Sequence, residues 1–234
     1  MARQLAAVGR AVAVADVAEA SAVEVATAIA ARGSESMGLR LDVTDPGSVV
    51  EAVKAVSKSM GPVEILVNAV GWDRLVPFVD TDEDFWARVI DVNYTGMLRT
   101  CQAVVPTMVE HGFGRVVNVA SDAGRVGSSL ESVYSGAKGG VIAFTKTLAR
   151  EMARKGVTAN TVCPGPTDTD LLAAVGEQLP DGGEKLVGSL GKAVPMGRIA
   201  TPSDVAPAIV FFASDEAGFV TGQTLSASGG LTMA

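Results

Sequence analysis

Short apolar runs rich in β-branched residues alternate with segments of helical period along the chain, and the runs are apolar on both faces. A polar residue closes nearly every run. These observations predict an α/β fold, a doubly wound parallel sheet flanked by helices on both sides. The 234 residues, 48% hydrophobic and 19% charged, suit a single domain over 1–234 with a large core.

The elements follow in order. Met1 to Val8 reads as the second half of an amphipathic helix, with Leu5 and Val8 on one face and Gly9 as its terminator. Ala11 to Ala15 reads as a strand ending at Asp16, and Glu19 to Ala31 as a helix. The pattern repeats with a strand from Leu39 to Val43, a helix from Pro46 to Ser59 and a buried strand over Ile65-Leu66-Val67 that ends at Asn68. Thr81 to Val109 has helical period, interrupted around Asn93 and Gly96, and Arg115 to Ala120 reads as a strand. Ala137, Val141, Phe144, Leu148 and Met152 share one face of a long helix from about Tyr134 to Met152. Val157 to Val162 and Gly222 to Ala227 are the last strands. Between them, 167–200 carries Gly176, Gly182, Gly183, Gly188 and Gly191 together with Pro180 and Pro195, and reads as a substrate loop or lid around short helices. Thr201-Pro202-Ser203-Asp204 opens a further helix, with Thr201 as N-cap.

Composition excludes several functions. A net charge of −7 with scattered Lys and Arg argues against nucleic-acid or anionic-membrane partners. The single histidine, His111, lies in a turn-like run, so neither a Ser-His-Asp triad nor a two-histidine metal site is expected, and no metal. Cys101 and Cys163 form no C-x-x-C pair, which suits unlinked thiols in a reducing compartment. With no secretory signal and no long apolar run, the expected location is cytoplasmic.

In doubly wound sheets ligands sit at the carboxyl ends of the strands. Asp16, Asp42, Asn68, Ser121 and Thr167 should line that edge. Tyr134 follows Ser121 by thirteen residues and precedes Lys138 by four, so phenol and ammonium share a helical face. The ammonium can then favour the ionised phenol, letting Tyr134 exchange a proton with a substrate oxygen that the Ser121 hydroxyl holds.

Asn93, Ser121, Tyr134 and Lys138, with Leu41-Asp42-Val43, Pro164-Gly165 and Thr221-Gly222-Gln223, resemble the short-chain dehydrogenase/reductase family over nearly the whole chain. The resemblance implies a Rossmann-like domain. It implies Tyr134 as general acid/base, Lys138 on the nicotinamide ribose, Ser121 orienting substrate and Asn93 keeping a relay water in place. It also implies Asp42 and Val43 beside the adenine, Asn68 at the ribose, and Thr167 and Thr169 at the nicotinamide amide and phosphates, with Gly71, Pro164 and Gly165 lining the cofactor. A closer likeness, through Gly71-Trp72-Asp73, the run Ser121 to Ser129, Pro164 to Thr169 and Ser228 to Met233, is to the 2-hydroxycyclohexanecarboxyl-CoA dehydrogenases.

A carboxylate ending the second strand of such a fold accepts bonds from ribose hydroxyls and repels a 2′-phosphate, so Asp16 makes NAD the expected cofactor over NADP. Two departures stand out. Asn68-Ala69-Val70-Gly71 replaces the family's Asn-Asn-Ala-Gly. The glycine-rich phosphate loop, due about 20 residues before Asp16, falls ahead of Met1. The expectation is therefore a domain lacking its first, central strand, with about 20 further residues in the natural product.

The leading expectation is an NAD-dependent enzyme interconverting a secondary alcohol and a ketone, with an acyl-CoA among the candidate substrates. The alternatives are a 3-oxoacyl thioester reductase using NADPH and a cofactor-deficient, non-catalytic homologue serving as an assembly subunit. The family resemblance further implies a homotetramer formed through the helices near 97–110 and 134–152.

Overall fold

The computed structural model describes residues 1–177 and 183–233. Helix α1 (Ala2–Ala7) stops where Gly9 turns the chain at φ 87°, with the Arg10 N–H donating to the Leu5 carbonyl. Strand β1 (Val12–Asp16), α2 (Glu19–Ala30) and β2 (Ser36–Arg40) follow, then α3 (Pro46–Met60), whose Asp45 side chain caps the Gly47 N–H. Strand β3 (Ile65–Asn68) leads through a loop to α4 (Glu83–Ile90), a π-helical turn at Asp91–Thr95 and α5 (Gly96–His111). Strand β4 (Gly114–Val119), a single turn α6 (Ala123–Val126), the long α7 (Ser132–Met152) and β5 (Val157–Pro164) complete the middle of the chain. Helices α8 (Asp170–Gly176), α9 (Glu184–Ala193) and α10 (Pro202–Phe212) precede β6 (Thr224–Ala227).

All strand pairs are parallel, β1 with β2 and β3-β4-β5-β6 in that order. Side chains alternate across the sheet. Val116 faces a core built with Met97, Cys101 and Met108 of α5 and Val141 and Leu148 of α7. Its neighbour Val117 faces the opposite core, with Leu5 of α1, Ile29 of α2 and Ile209 of α10. The expected α/β architecture, helices on both faces of a parallel sheet, is therefore present. Among the described residues no strand lies between β1 and β3. A cavity of about 1570 Å³ separates them, lined by both strands and by residues of α1 and α3.

Three boundaries differ from expectation. Strand β2 covers Ser36–Arg40 rather than Leu39 to Val43. Its centre is Gly38, where a Cβ would meet the Val23 backbone at 2.5 Å, so α2 packs on β2 only because the side chain is missing. Asp42 instead closes a turn, its carboxylate accepting from the Thr44 N–H and hydroxyl. The interruption expected near Asn93 is a π-helical turn, and His111, placed in a turn-like run on sequence grounds, is the exposed last residue of α5, capped by Gly112 at φ 67°. The 167–200 segment does contain two short helices, although Pro180 and Gly182 lie outside the described residues. Thr201 and Asp204 form the expected N-terminal box of α10. Both cysteines are buried free thiols, and no described helix is long and apolar enough to cross a membrane.

Candidate active site

Strand β4 delivers Ser121 just past its carboxyl end, and α7 brings Tyr134 and Lys138 alongside. Gly124 makes this approach possible: a Cβ there would lie 2.6 Å from the Lys138 carbonyl carbon, so α6 rests on α7 at the lysine itself. The short turn is anchored from behind, since Arg125 donates to the Ser226 hydroxyl and that hydroxyl donates to the Asp122 carboxylate. Ser121 faces Tyr134 closely enough for its hydroxyl to hydrogen-bond the phenol.

Lys138 is fully buried. Its Nζ donates to the carbonyls of Val70 and Val119, both at 3.2 Å, and so ties the ends of β3 and β4 together. Burial pulls the ammonium down to about 8. The same Nζ lies 5.6 Å from the Tyr134 ring centroid. The expected lowering of the phenol by Lys138 is not what this geometry produces. Burial, followed by the negative charge of Glu131, raises the Tyr134 phenol well above its ordinary value, and the Ser121 hydrogen bond only partly opposes them. An i, i+4 spacing places the lysine beside the ring, but its ammonium is spent on two carbonyls.

Asn93 sits in the π-helical turn, a local widening often found at functional sites. Its Nδ2 donates to the carbonyls of Trp72 at 2.6 Å and Val89 at 2.9 Å, and its Oδ1 accepts from the Trp72 N–H. The amide thus braces the loop after β3. Asn68 is likewise committed: Nδ2 donates to Asn118 Oδ1 at 2.8 Å, while Oδ1 accepts from the Thr100 hydroxyl at 2.7 Å. Asn118 passes the network on to Thr145 at 2.8 Å. Sequence reasoning missed Asn118, Thr100 and Thr145; the signal was there, since a fully buried asparagine inside an apolar strand demands partners.

The cavity between β1 and β3 is lined by Asp16, Asp42, Val43, Asn68, Gly71 and Thr169, among others. A small pocket beside it joins Val43 and Asn68 to Asn93 and Lys138. Hydrogen bonds from Thr44 hold the Asp42 carboxyl below its usual range. Asp16 is exposed, with Oδ1 accepting from the Ala18 N–H. Ser121, Tyr134, Pro164, Gly165 and Thr167 lie outside the lining of either cavity. Pro164 belongs to β5, paired with Ala227, and the Thr167 hydroxyl donates to the Gly165 carbonyl while its backbone bridges Ala200. Thr169 caps α8, accepting from the Leu172 N–H.

A family model described as enoyl-(acyl carrier protein) reductase matches residues 1–232. The 3-oxoacyl-[acyl-carrier-protein] reductase FabG of Vibrio cholerae is 38% identical over 201 residues, 86% of this chain and 80% of that protein. The acetoacetyl-CoA reductase of Shinella zoogloeoides is 39% identical over 189 residues, 81% and 76% of the two chains. The chain belongs to the short-chain dehydrogenase/reductase family.

Solved structures of short-chain dehydrogenases/reductases carry the likeness through the fold. A gluconate 5-dehydrogenase from Burkholderia cenocepacia, in complex with NADP and tartrate, superposes with a TM-score of 0.91 at 31% identity, over 100% of this chain and 89% of that one. Actinorhodin polyketide ketoreductase with NADPH gives 0.92 at 34% identity, over 98% and 90%. As a short-chain dehydrogenase/reductase the chain is an oxidoreductase of CH–OH and keto groups that works with a nicotinamide cofactor. The residues present fit the ribose and nicotinamide end of such a group. A Cβ at Gly71 would meet Asn93 Oδ1 at 3.4 Å, Lys138 Nζ at 3.7 Å and the Leu171 side chain at 3.9 Å, so the glycine keeps one polar point open where three elements converge.

Proposed function

We propose that the chain interconverts a 3-oxoacyl thioester and its 3-hydroxyacyl counterpart. The observation that carries this reading is the convergence of Gly71, Asn93, Lys138 and Leu171 on one point, with Ser121 at the end of β4 and Tyr134 on α7 paired close by. The thioester class rests on the printed names of the relatives, which reduce 3-oxoacyl-[acyl-carrier-protein] and acetoacetyl-CoA. They favour this substrate over 2-hydroxycyclohexanecarboxyl-CoA and over a general secondary alcohol.

Tyr134 gives its phenolic proton to the carbonyl oxygen during reduction and takes it back during oxidation. Ser121 holds that oxygen, Lys138 flanks the nicotinamide ribose and Asp42 the adenine. Bound dinucleotide supplies or accepts the hydride at the adjacent carbon. Leu171, at the head of α8, closes the site from the 167–200 side, where an apolar lid suits an acyl chain.

The cofactor has two readings. NADP(H) is favoured by the molecules named with the two structural neighbours. NAD(H) is favoured by Asp16, whose exposed carboxylate ends β1 and would repel a 2′-phosphate. Assembly as a homotetramer through α5 and α7 completes the proposal, with size-exclusion chromatography coupled to light scattering as its check.

The test is a panel of acetoacetyl-CoA, longer 3-oxoacyl thioesters and simple ketones, each assayed with NADH and NADPH alongside dinucleotide titration. Turnover of the 3-oxoacyl thioesters above the simple ketones is expected. Dinucleotide binding with no thioester turnover would sink the substrate reading, and no binding of either dinucleotide would favour the non-catalytic homologue.

A further inference from the structure

Asp73 is 5% exposed, and neither of its carboxyl oxygens has a well-formed hydrogen bond. A buried carboxyl so weakly partnered costs free energy. The loop that carries it is clamped at both ends. Trp72, immediately before it, is held on both backbone sides by the Asn93 amide. Val76, three residues beyond it, donates its N–H to the Leu130 carbonyl at 3.0 Å. Leu130 is the one described non-glycine residue with positive φ, at 68°. That turn presents Glu131, one helical turn before Tyr134, to the Asp73 carboxyl. Trp72 and Phe85 pack around Tyr134 in an apolar cluster, so charges here are poorly screened.

We propose that Asp73 and Glu131 form an acidic pair that positions Tyr134 electrostatically, setting how readily the phenol gives up its proton. The proposal rests on the reading of Tyr134 as the acid/base. Burial, reinforced by Glu131, pushes Asp73 up to about 7, so Asp73 gains its negative charge close to neutrality. Both carboxylates then oppose phenolate formation. Arg74 opposes the rise at Asp73 through its backbone N–H and its charge, while its guanidinium sits over the Phe85 ring at 5.1 Å. The other charged or titratable groups facing this cluster act less directly: Arg88 lies over the Trp72 ring at 3.9 Å, Lys138 is spent on two carbonyls, and Cys163 is a neutral buried thiol.

The chain has two tyrosines, so carbon-labelled tyrosine gives two NMR signals, assigned by Tyr94→Phe. The measurement is the titration midpoint of Tyr134 in the 234-residue chain with and without Asp73→Asn, with folding monitored by circular dichroism. The midpoint should fall by about one pH unit, a tenfold loss of proton affinity. Glu131→Gln should move it the same way, and carries the test if Asp73→Asn does not fold. An unchanged midpoint in a folded variant overturns the proposal. Because no turnover is needed, this outcome is independent of the thioester reading. Where activity is measurable, the acid limb of kcat/KM should shift to lower pH with Asp73→Asn, a movement that a purely structural residue would not cause.

Discussion

Strands β4 and β5 are buried along all but their last residue, whereas β1 and β2 each bury one residue of five. The first pair sits in a four-stranded sheet covered on both faces, threaded by the chain of bonds Thr100–Asn68–Asn118–Thr145 and stapled by Lys138. The second pair stands beyond the cavity, held by α1, α2 and surface contacts such as Arg10 with Asp215 at 3.3 Å. On the proposed reading, proton chemistry rests on the tightly packed side and the carboxylate Asp16, proposed to face the dinucleotide, on the loosely packed one. A site that must hold a reacting atom to fractions of an ångström gains from the first environment, while a binding edge tolerates the second.

The sharpest way to break this contrast is at the phenol. Tyr134→Phe should lower kcat by about 100-fold or more while leaving dinucleotide affinity unchanged, as read by steady-state kinetics and fluorescence titration. Retained turnover would remove Tyr134 from the chemistry.

A second test uses pH. Lys138 titrates near 8 in the fold against an ordinary value of 10.5, so between these values the folded state binds fewer protons than the unfolded one. Unfolding free energy should accordingly rise with pH across that window, by on the order of 3 kcal/mol in total. Lys138→Met should abolish the rise in urea titrations.

The bonded network supplies the third test. Asn118→Ala removes the acceptor of the Asn68 amide and the donor to the Thr145 hydroxyl in the core and should cost about 1–3 kcal/mol. Val14→Ala, on the partly exposed β1, should cost less than about 1 kcal/mol. A larger loss from β1 than from Asn118 would invert the comparison. A modest effect is also expected at Asp16. Replacing it by Ala removes one solvent-screened repulsion of about 1 kcal/mol, so the NADPH to NADH preference should rise about fivefold.

How legible each side was in the sequence follows the same division. Val116, Val117 and Val162 are buried on opposite faces, so their strands read as continuous apolar runs and were placed to within a residue or two. Strand β2 had no such run, because Ser36, Met37 and Gly38 owe their pairing to the close approach of α2, which is a tertiary fact. Ser121, Tyr134 and Lys138 were legible because helix spacing and strand ends determine which side chains meet. The sign of the phenol's shift was not, since it depends on burial and on Glu131. Nor were the lysine's true partners, two main-chain carbonyls 68 and 19 residues away. Pro164, Gly165 and Thr167 were legible as the end of a strand, but not the pairing that fixes them there, which joins β5 to β6 and Thr167 to Ala200.

The π-helical turn at Asp91–Thr95 makes the middle of the chain sensitive to length. Deleting one residue there would let the ladder close into an unbroken α-helix from α4 into α5, but everything downstream would rotate by about 100°. Gly96, which meets Val43 so closely that a Cβ would lie 2.6 Å from its methyl, would swing away, and Arg99 would lose Asp91. The turn acts as a phase marker between two helices. Single-residue insertions and deletions should be tolerated in the loop 73–77 far better than at 91–95, and chimaeras with relatives should be cut outside α4 and α5, never between them.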